Sequence, residues 1–137
     1  MTIYAYCRTS ELEDAMDADR LNGILEPELL GIQTYCLQKG WYMTQTITET
    51  NCRWSQEFIE RERGKLLLEA MNPGDVLLCS RLERIASSSQ EALMLINLFS
   101  LYLFFLASVS RYFSAHIYIY TYQRCHSGFT VSFFVLL

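Results

Sequence analysis

An α/β fold with a mainly parallel sheet is predicted by three features of the chain. Ile3 to Cys7 and Val76 to Cys79 are short apolar runs of strand length, the second continuous in the way that a sheet buried on both faces requires. Between and after them, apolar residues recur at helical spacing. Turn-forming residues separate these segments, so strands alternate with helices, the signature of a parallel α/β sheet.

The elements follow in order. Ile3 to Cys7 runs directly into the polar Arg8-Thr9-Ser10, which predicts a buried first strand with a loop at its C-terminal end. Pro27 suits a first helical turn, and Leu29, Ile32, Tyr35 and Cys36 recur at helical spacing until Gly40, predicting a helix of about a dozen residues. Met43 to Thr48 reads as a second strand, and Phe58 to Met71 as a second helix offering Leu66, Leu67, Ala70 and Met71 to the core. Asn72-Pro73-Gly74-Asp75 is a strong turn leading into the strand Val76 to Cys79. Ser88-Ser89-Gln90-Glu91 fits a capping box, the Ser88 hydroxyl accepting from the Glu91 amide while the Glu91 side chain reaches back, so a third helix starts there. Ala92 to Ser110 carries no charge and is apolar on every side from Leu98 to Leu106 except at Ser100, a pattern of a fully buried or membrane-embedded helix. His116 to Tyr122 alternates with a period of two and predicts a strand, as does Phe129 to Leu137.

At 137 residues the chain is the size of one domain, and its 51% hydrophobic and 19% charged content excludes a disordered polymer. The formal net charge of −4 is unevenly placed. Residues 11 to 28 hold seven acids (Glu11, Glu13, Asp14, Asp17, Asp19, Glu26, Glu28) against Arg20, leaving the remainder weakly positive. That is not the basic field of a protein that grips duplex DNA alone, so DNA binding would need a partner or a further segment. Five cysteines with no C-x-x-C pair, and no signal-type run after Met1, favour a reducing, intracellular setting. Cys125 and His126 are adjacent but lack a second ligand pair, so they make a poor zinc site.

Two clusters carry chemistry. Arg8 and Ser10 stand two residues apart at the C-terminal end of a buried strand, where an extended backbone points both the same way and where open α/β sheets build their sites. Ser80-Arg81-Leu82-Glu83-Arg84 follows the strand Val76 to Cys79 in the same manner.

Taken together, Tyr6-x-Arg8-x-Ser10, then Gly74-Asp75, an apolar strand and Leu82-Glu83-Arg84, resemble the nucleophile motif and the Gly-Asp, strand, Leu-Asp-Arg pattern of serine site-specific recombinases of the resolvase and invertase family. Arg61-Glu62-Arg63-Gly64 resembles the family's Arg-Pro-x-Gly segment. Arg61, thirteen residues before Gly74, needs no gap in that register, and Arg63 is the competing choice. Gln33 matches a family glutamine. The resemblance covers residues 1 to about 97, leaving 98 to 137 as a divergent hydrophobic tail, and it fades after Ile96.

The resemblance implies a three-layer domain with a mainly parallel central sheet flanked by helices. It also implies a reaction. Ser10 would attack a DNA phosphodiester and hold the 5′ phosphate as a phosphoserine while the 3′ hydroxyl leaves, with strands exchanged and rejoined and no cofactor, ATP or metal ion required. Arg8, Arg61 and Arg84 would clamp the phosphate, since planar guanidinium groups supply bidentate donors and keep their charge. Glu83 takes the place of the family's Asp in the same catalytic cluster. The implied partners are DNA and further copies of the chain, as a dimer or tetramer, or an intact recombinase.

Four departures from the family predict an impaired site. The acidic stretch 11 to 28 is an insertion beside Ser10, Glu83 is one methylene longer than Asp, and Ser87 stands where a further arginine is expected. After Ile96 neither a long charged dimerisation helix nor a basic helix-turn-helix is legible, as in a truncated or frame-disrupted recombinase. Two other readings stay open: an inactive remnant that serves as an interaction module, and a small membrane-anchored protein spanning with Ala92 to Ser110.

Overall fold

The computed structural model describes residues 1–10, 18–102, 104–108, 117–125 and 128–136, with the side chains of Ser10, Ala18, Leu21, Asn22, Asn51, Phe105, Ala107 and everything after 108 left aside. Four strands form one parallel sheet: β1 (Ile3–Ser10), β2 (Gln45–Cys52), β3 (Val76–Cys79) and β4 (Phe105–Ser108), in the order β2-β1-β3-β4. The helices are α1 (Ala18–Lys39), α2 (Glu62–Ala70) and α3 (Ser89–Leu101), with single 3-10 turns at Phe58–Glu60 and Leu82–Arg84. A separate antiparallel hairpin joins β5 (Ile117–Cys125) to β6 (Gly128–Leu136), where alternation predicted strands.

Strand alternation divides the core into two layers. Ile3, Ala5 and Cys7 of β1, with Val76 and Leu78 of β3, pack against Ile32, Tyr35 and Cys36 of α1. Tyr4 and Tyr6, with Leu77 and Cys79, face the other way onto Phe58, Leu67, Leu95 and Phe99 from the α2 and α3 side. Helix, sheet and helices make the three-layer α/β architecture that the sequence predicts. The Gly74-Asp75 pair has a structural reason within it. Gly74 turns the chain at φ +93°, in the left-handed region that favours glycine, and the Asp75 carboxylate then accepts from the amides of Thr2 at 2.7 Å and Asn72 at 2.8 Å, tying the entry of β3 to the start of β1.

The helix expected over Phe58 to Met71 is a 3-10 turn followed by α2, and Leu66 and Ala70, expected in the core, are exposed, since α2 turns Leu67 and not these residues to the sheet. Three further expectations are corrected. The first helix does not start at Pro27 but nine residues earlier, at Ala18, with Pro27 inside it. The acidic insertion is therefore helical in its second half. The uncharged stretch Ala92 to Ser110 is not one helix: α3 closes at Leu101, where the amides of Tyr102 and Phe104 bond back to the carbonyls of Leu98 and Phe99, and Phe105–Ser108 pairs with β3 as an edge strand. Among the described residues no helix is long and apolar enough to cross a membrane, so the proposed span is lost. The sheet also continues past residue 97, where the motif resemblance fades.

The third correction concerns the capping box. Ser88 accepts from the Glu91 amide at 3.1 Å as expected, but the Glu91 carboxylate, itself buried, turns to the amides of Ser87 and Phe58. It thus joins the start of α3 to the turn before α2 and contributes to tertiary structure as well as to its own helix end.

Candidate active site

The strand order places a topological switch point between β1 and β3. The chain leaves β1 towards β2 on one side and returns to β3 on the other, so the segments after the two strands part at their C-terminal ends, where open sheets of this kind place their ligand sites. Arg8 and Ser10 end β1, and Arg81 to Arg84 follow β3. Both sequence clusters thus lie at the position where such sheets bind ligands.

Arg8 is 1% exposed and Arg61 is fully buried, which is costly for a cation unless an anion or several acceptors answer it. Arg8 donates from Nε to the Cys52 sulfur at 3.0 Å and from Nη2 to the Arg53 carbonyl at 2.6 Å, and its guanidinium lies 5.0 Å from the Trp54 ring centre. Arg61 donates from Nε to the Gln56 carbonyl at 3.1 Å, and from Nη1 to the Tyr6 hydroxyl at 3.2 Å and the Arg84 carbonyl at 2.8 Å. Neither meets a carboxylate in these bonds. Arg8 Nη1 and Arg61 Nη2 are buried with no partner among the described residues.

Tyr6 continues this network. Its hydroxyl donates to Glu49 Oε2 at 3.3 Å, and Glu49 in turn accepts from the amides of Gly64 at 3.0 Å and Arg63 at 3.3 Å, the N-terminal turn of α2. Burial, only partly offset by Arg61, pushes the Tyr6 phenol far above its usual range, so it stays a donor. Gly64 is required here, because a Cβ would overlap the Phe58 carbonyl oxygen and force α2 away from the turn.

Arg84 belongs to the opposite layer. It donates from Nε at 2.9 Å and Nη2 at 2.6 Å to one oxygen of Glu28 on α1, an ion pair with both side chains nearly buried. The second Glu28 oxygen is buried without a partner among the described residues. The Cys7 thiol beside this pair is pushed up to about 11 by burial first and the Glu28 charge next, with Arg84 opposing. On the Arg61 side, the Arg84 backbone carbonyl makes the contact.

The remaining sequence candidates divide. The Ser10 backbone ends β1 opposite Cys52, after a register shift between Arg8 and Ser10, and the Ser10 hydroxyl lies outside the described side chains. Arg61 is buried at the network while Arg63 is exposed. Glu83, Ser87 and Gln33 are exposed. The Ser87 hydroxyl donates to Glu91, and the carboxylate at Arg84 is that of Glu28 and not of Glu83. Cys125 and His126 fall outside the described side chains. Glu49, Glu28 and Cys52 were not anticipated. The signal for Glu49 was legible: it shares an inward phase of β2 with Ile47.

No family model and no curated protein matches the chain. Solved structures do. The N-terminal catalytic domain of TP901-1 integrase is similar at a TM-score of 0.57 and 18% identity, over 80% of this chain and 77% of that one. The C-terminal catalytic domain of ISC1926 TnpA, an IS607-like serine recombinase, is similar at a TM-score of 0.57 and 17% identity, over 83% of this chain and 72% of that one. The fold is that of a serine recombinase catalytic domain.

Proposed function

We propose that the chain is a DNA recombinase domain that cleaves and rejoins strands through a 5′-phosphoserine on Ser10. The observation that carries the reading is the pair of buried arginines at the switch point, each with an N–H that has no partner among the described residues: a buried cation with an open donor calls for an anion, and a phosphodiester supplies one. Arg8 and Arg61 hold the non-bridging oxygens in this scheme, and the charge that develops on them in the pentavalent state is met by donors already fixed by Cys52, Arg53, Gln56 and Tyr6. The Ser10 oxygen forms the new P–O bond as the bond to the 3′ oxygen breaks, and the hydroxyl proton passes to solvent or to a neighbouring base. The 3′ hydroxyl of another strand then reverses the step.

Arg84 and Glu83 are placed in the same cluster by the motif, with Arg84 reaching the phosphate once its side chain turns from α1. Its carbonyl already anchors Arg61. DNA and further copies of the chain are the partners in this proposal. The test is a covalent trap. The full chain is incubated at low salt with duplex DNA carrying a randomised segment, and adducts surviving detergent are scored; Ser10→Ala should yield none while keeping its thermal transition. An adduct that persists in Ser10→Ala rejects the mechanism.

A specific observation favours an impaired enzyme over an efficient one. The guanidinium of Arg84 is bound to an acid of its own chain, and Ser87 gives its hydroxyl to Glu91 where a further cation would stand.

A further inference from the structure

We propose that Glu28 occupies the anion seat of Arg84, so that a DNA phosphate engages Arg84 only after the Glu28 carboxylate is displaced, which makes the acidic half of α1 a built-in competitor of the substrate. The inference rests on the reading of Arg84 as a phosphate ligand. Three observations carry it.

The first is the geometry of the pair. Nε and Nη2 of Arg84 converge on Glu28 Oε1 at 2.9 and 2.6 Å, the edge of the guanidinium that a phosphate oxygen would use. The second is that the carboxylate is only half used. Its Oε2 is buried with no partner among the described residues, whereas a pair built for stability would engage both oxygens. An anion that reaches solvent or further donors would satisfy Arg84 without leaving that oxygen stranded.

The third is a weak point in the helix that delivers Glu28. Pro27 lies inside α1, immediately before Glu28, and has no N–H to give to the Gly23 carbonyl. Gly23 itself has open space around it and costs the helix conformational entropy. The segment Gly23 to Pro27 is thus where α1 bends or frays most readily, and movement there shifts the acidic turn that holds Glu28.

The experiment measures binding of a fluorescent 30-base-pair duplex of random sequence to the full chain, by anisotropy at low salt. Glu28→Gln should tighten binding by roughly tenfold, equivalent to about 1.4 kcal/mol. Glu26→Gln, an equal charge change at an exposed position on the same helix, should give a few-fold at most through the general field. The excess of Glu28→Gln over Glu26→Gln should vanish in Glu28→Gln combined with Arg84→Gln. If Glu28→Gln binds no tighter than Glu26→Gln while Arg84→Gln weakens the wild-type protein, Glu28 merely positions Arg84 and the proposal is overturned, though the phosphate-ligand reading stands. If Arg84→Gln changes affinity in neither background, that reading of Arg84 fails as well. Should Glu28→Gln lose its thermal transition, Pro27→Ala decides: by restoring the missing helical N–H it should hold Glu28 in place and weaken binding by several-fold, and unchanged or tighter binding overturns the proposal.

Discussion

Arg61 donates from Nη1 to the backbone carbonyl of Arg84 at 2.8 Å, so a buried side chain ahead of α2 fixes the loop that follows β3. The same nitrogen reaches Tyr6 on β1. One guanidinium therefore joins the segments on both sides of the switch point.

Removing it should be costly to the fold as well as to any reaction. Arg61→Met leaves the Tyr6 hydroxyl and the Gln56 and Arg84 carbonyls short of a donor inside the protein, and a loss of about 2–4 kcal/mol is expected. Urea unfolding measures it. A loss under about 0.5 kcal/mol would show that the network is wet and that Arg61 is not a structural tie.

Asp75 sets an acid-sensitive contact at the base of β1 and β3. Burial works against its charge, but the amides of Asn72 and Thr2 outweigh burial and hold its carboxyl below its usual 3.8. A carboxyl lowered in the folded state contributes stability above its unfolded pKa and loses it as the pH falls through the folded value. Asp75→Asn should thus be less stable than wild type at pH 7 by about 1–2 kcal/mol, and the two should converge as the pH falls below the ordinary carboxyl range. Thermal melts across that range test it, and a gap that persists at the acid end would exclude the carboxylate charge as the cause.

What was legible in the sequence is what local patterns can encode. The strand Val76 to Cys79, the Asn-Pro-Gly-Asp turn and the Ser88 cap are each specified by neighbouring residues, and each is found in place. The first nine residues of α1 were missed because an acidic stretch lacks apolar periodicity and Pro27 resembles a helix start. Their helix carries Glu28, whose tie to Arg84, 56 residues away, no local pattern announces. The strand Phe105–Ser108 was hidden in an unbroken apolar run, where period alone cannot separate strand from helix, and α3 stops there by backbone bonds at Tyr102 and Phe104 without a glycine. In the site, the motif supplied Arg8, Arg61 and Arg84 but not their partners, because Glu49, Cys52 and Glu28 come from three other segments.

Supplying the missing cation should raise activity, and more so once Arg84 is released. Ser87→Arg keeps the backbone amide bond to Glu91 and gives up only the hydroxyl contact. It should increase adduct yield several-fold alone, and Glu28→Gln with Ser87→Arg should exceed the product of the single effects because both act on one phosphate. Glu83→Asp alone should change the yield little, since Glu83 is exposed and Arg84 is held by Glu28. A large gain from Glu83→Asp would instead place that carboxylate in the reaction.

The central claim is that Ser10 becomes linked to DNA, and the most direct measurement is the mass of the adduct peptide. The full chain and its Glu28→Gln, Ser87→Arg variant are reacted with duplex DNA carrying a randomised segment, quenched in detergent, digested with nuclease and protease, and sequenced by mass spectrometry. A phosphate or short nucleotide remnant should be found on Ser10, joined through the 5′ end, and should disappear in Ser10→Ala. A remnant on any other residue, or no adduct from either protein under conditions where both bind the DNA, would contradict the account.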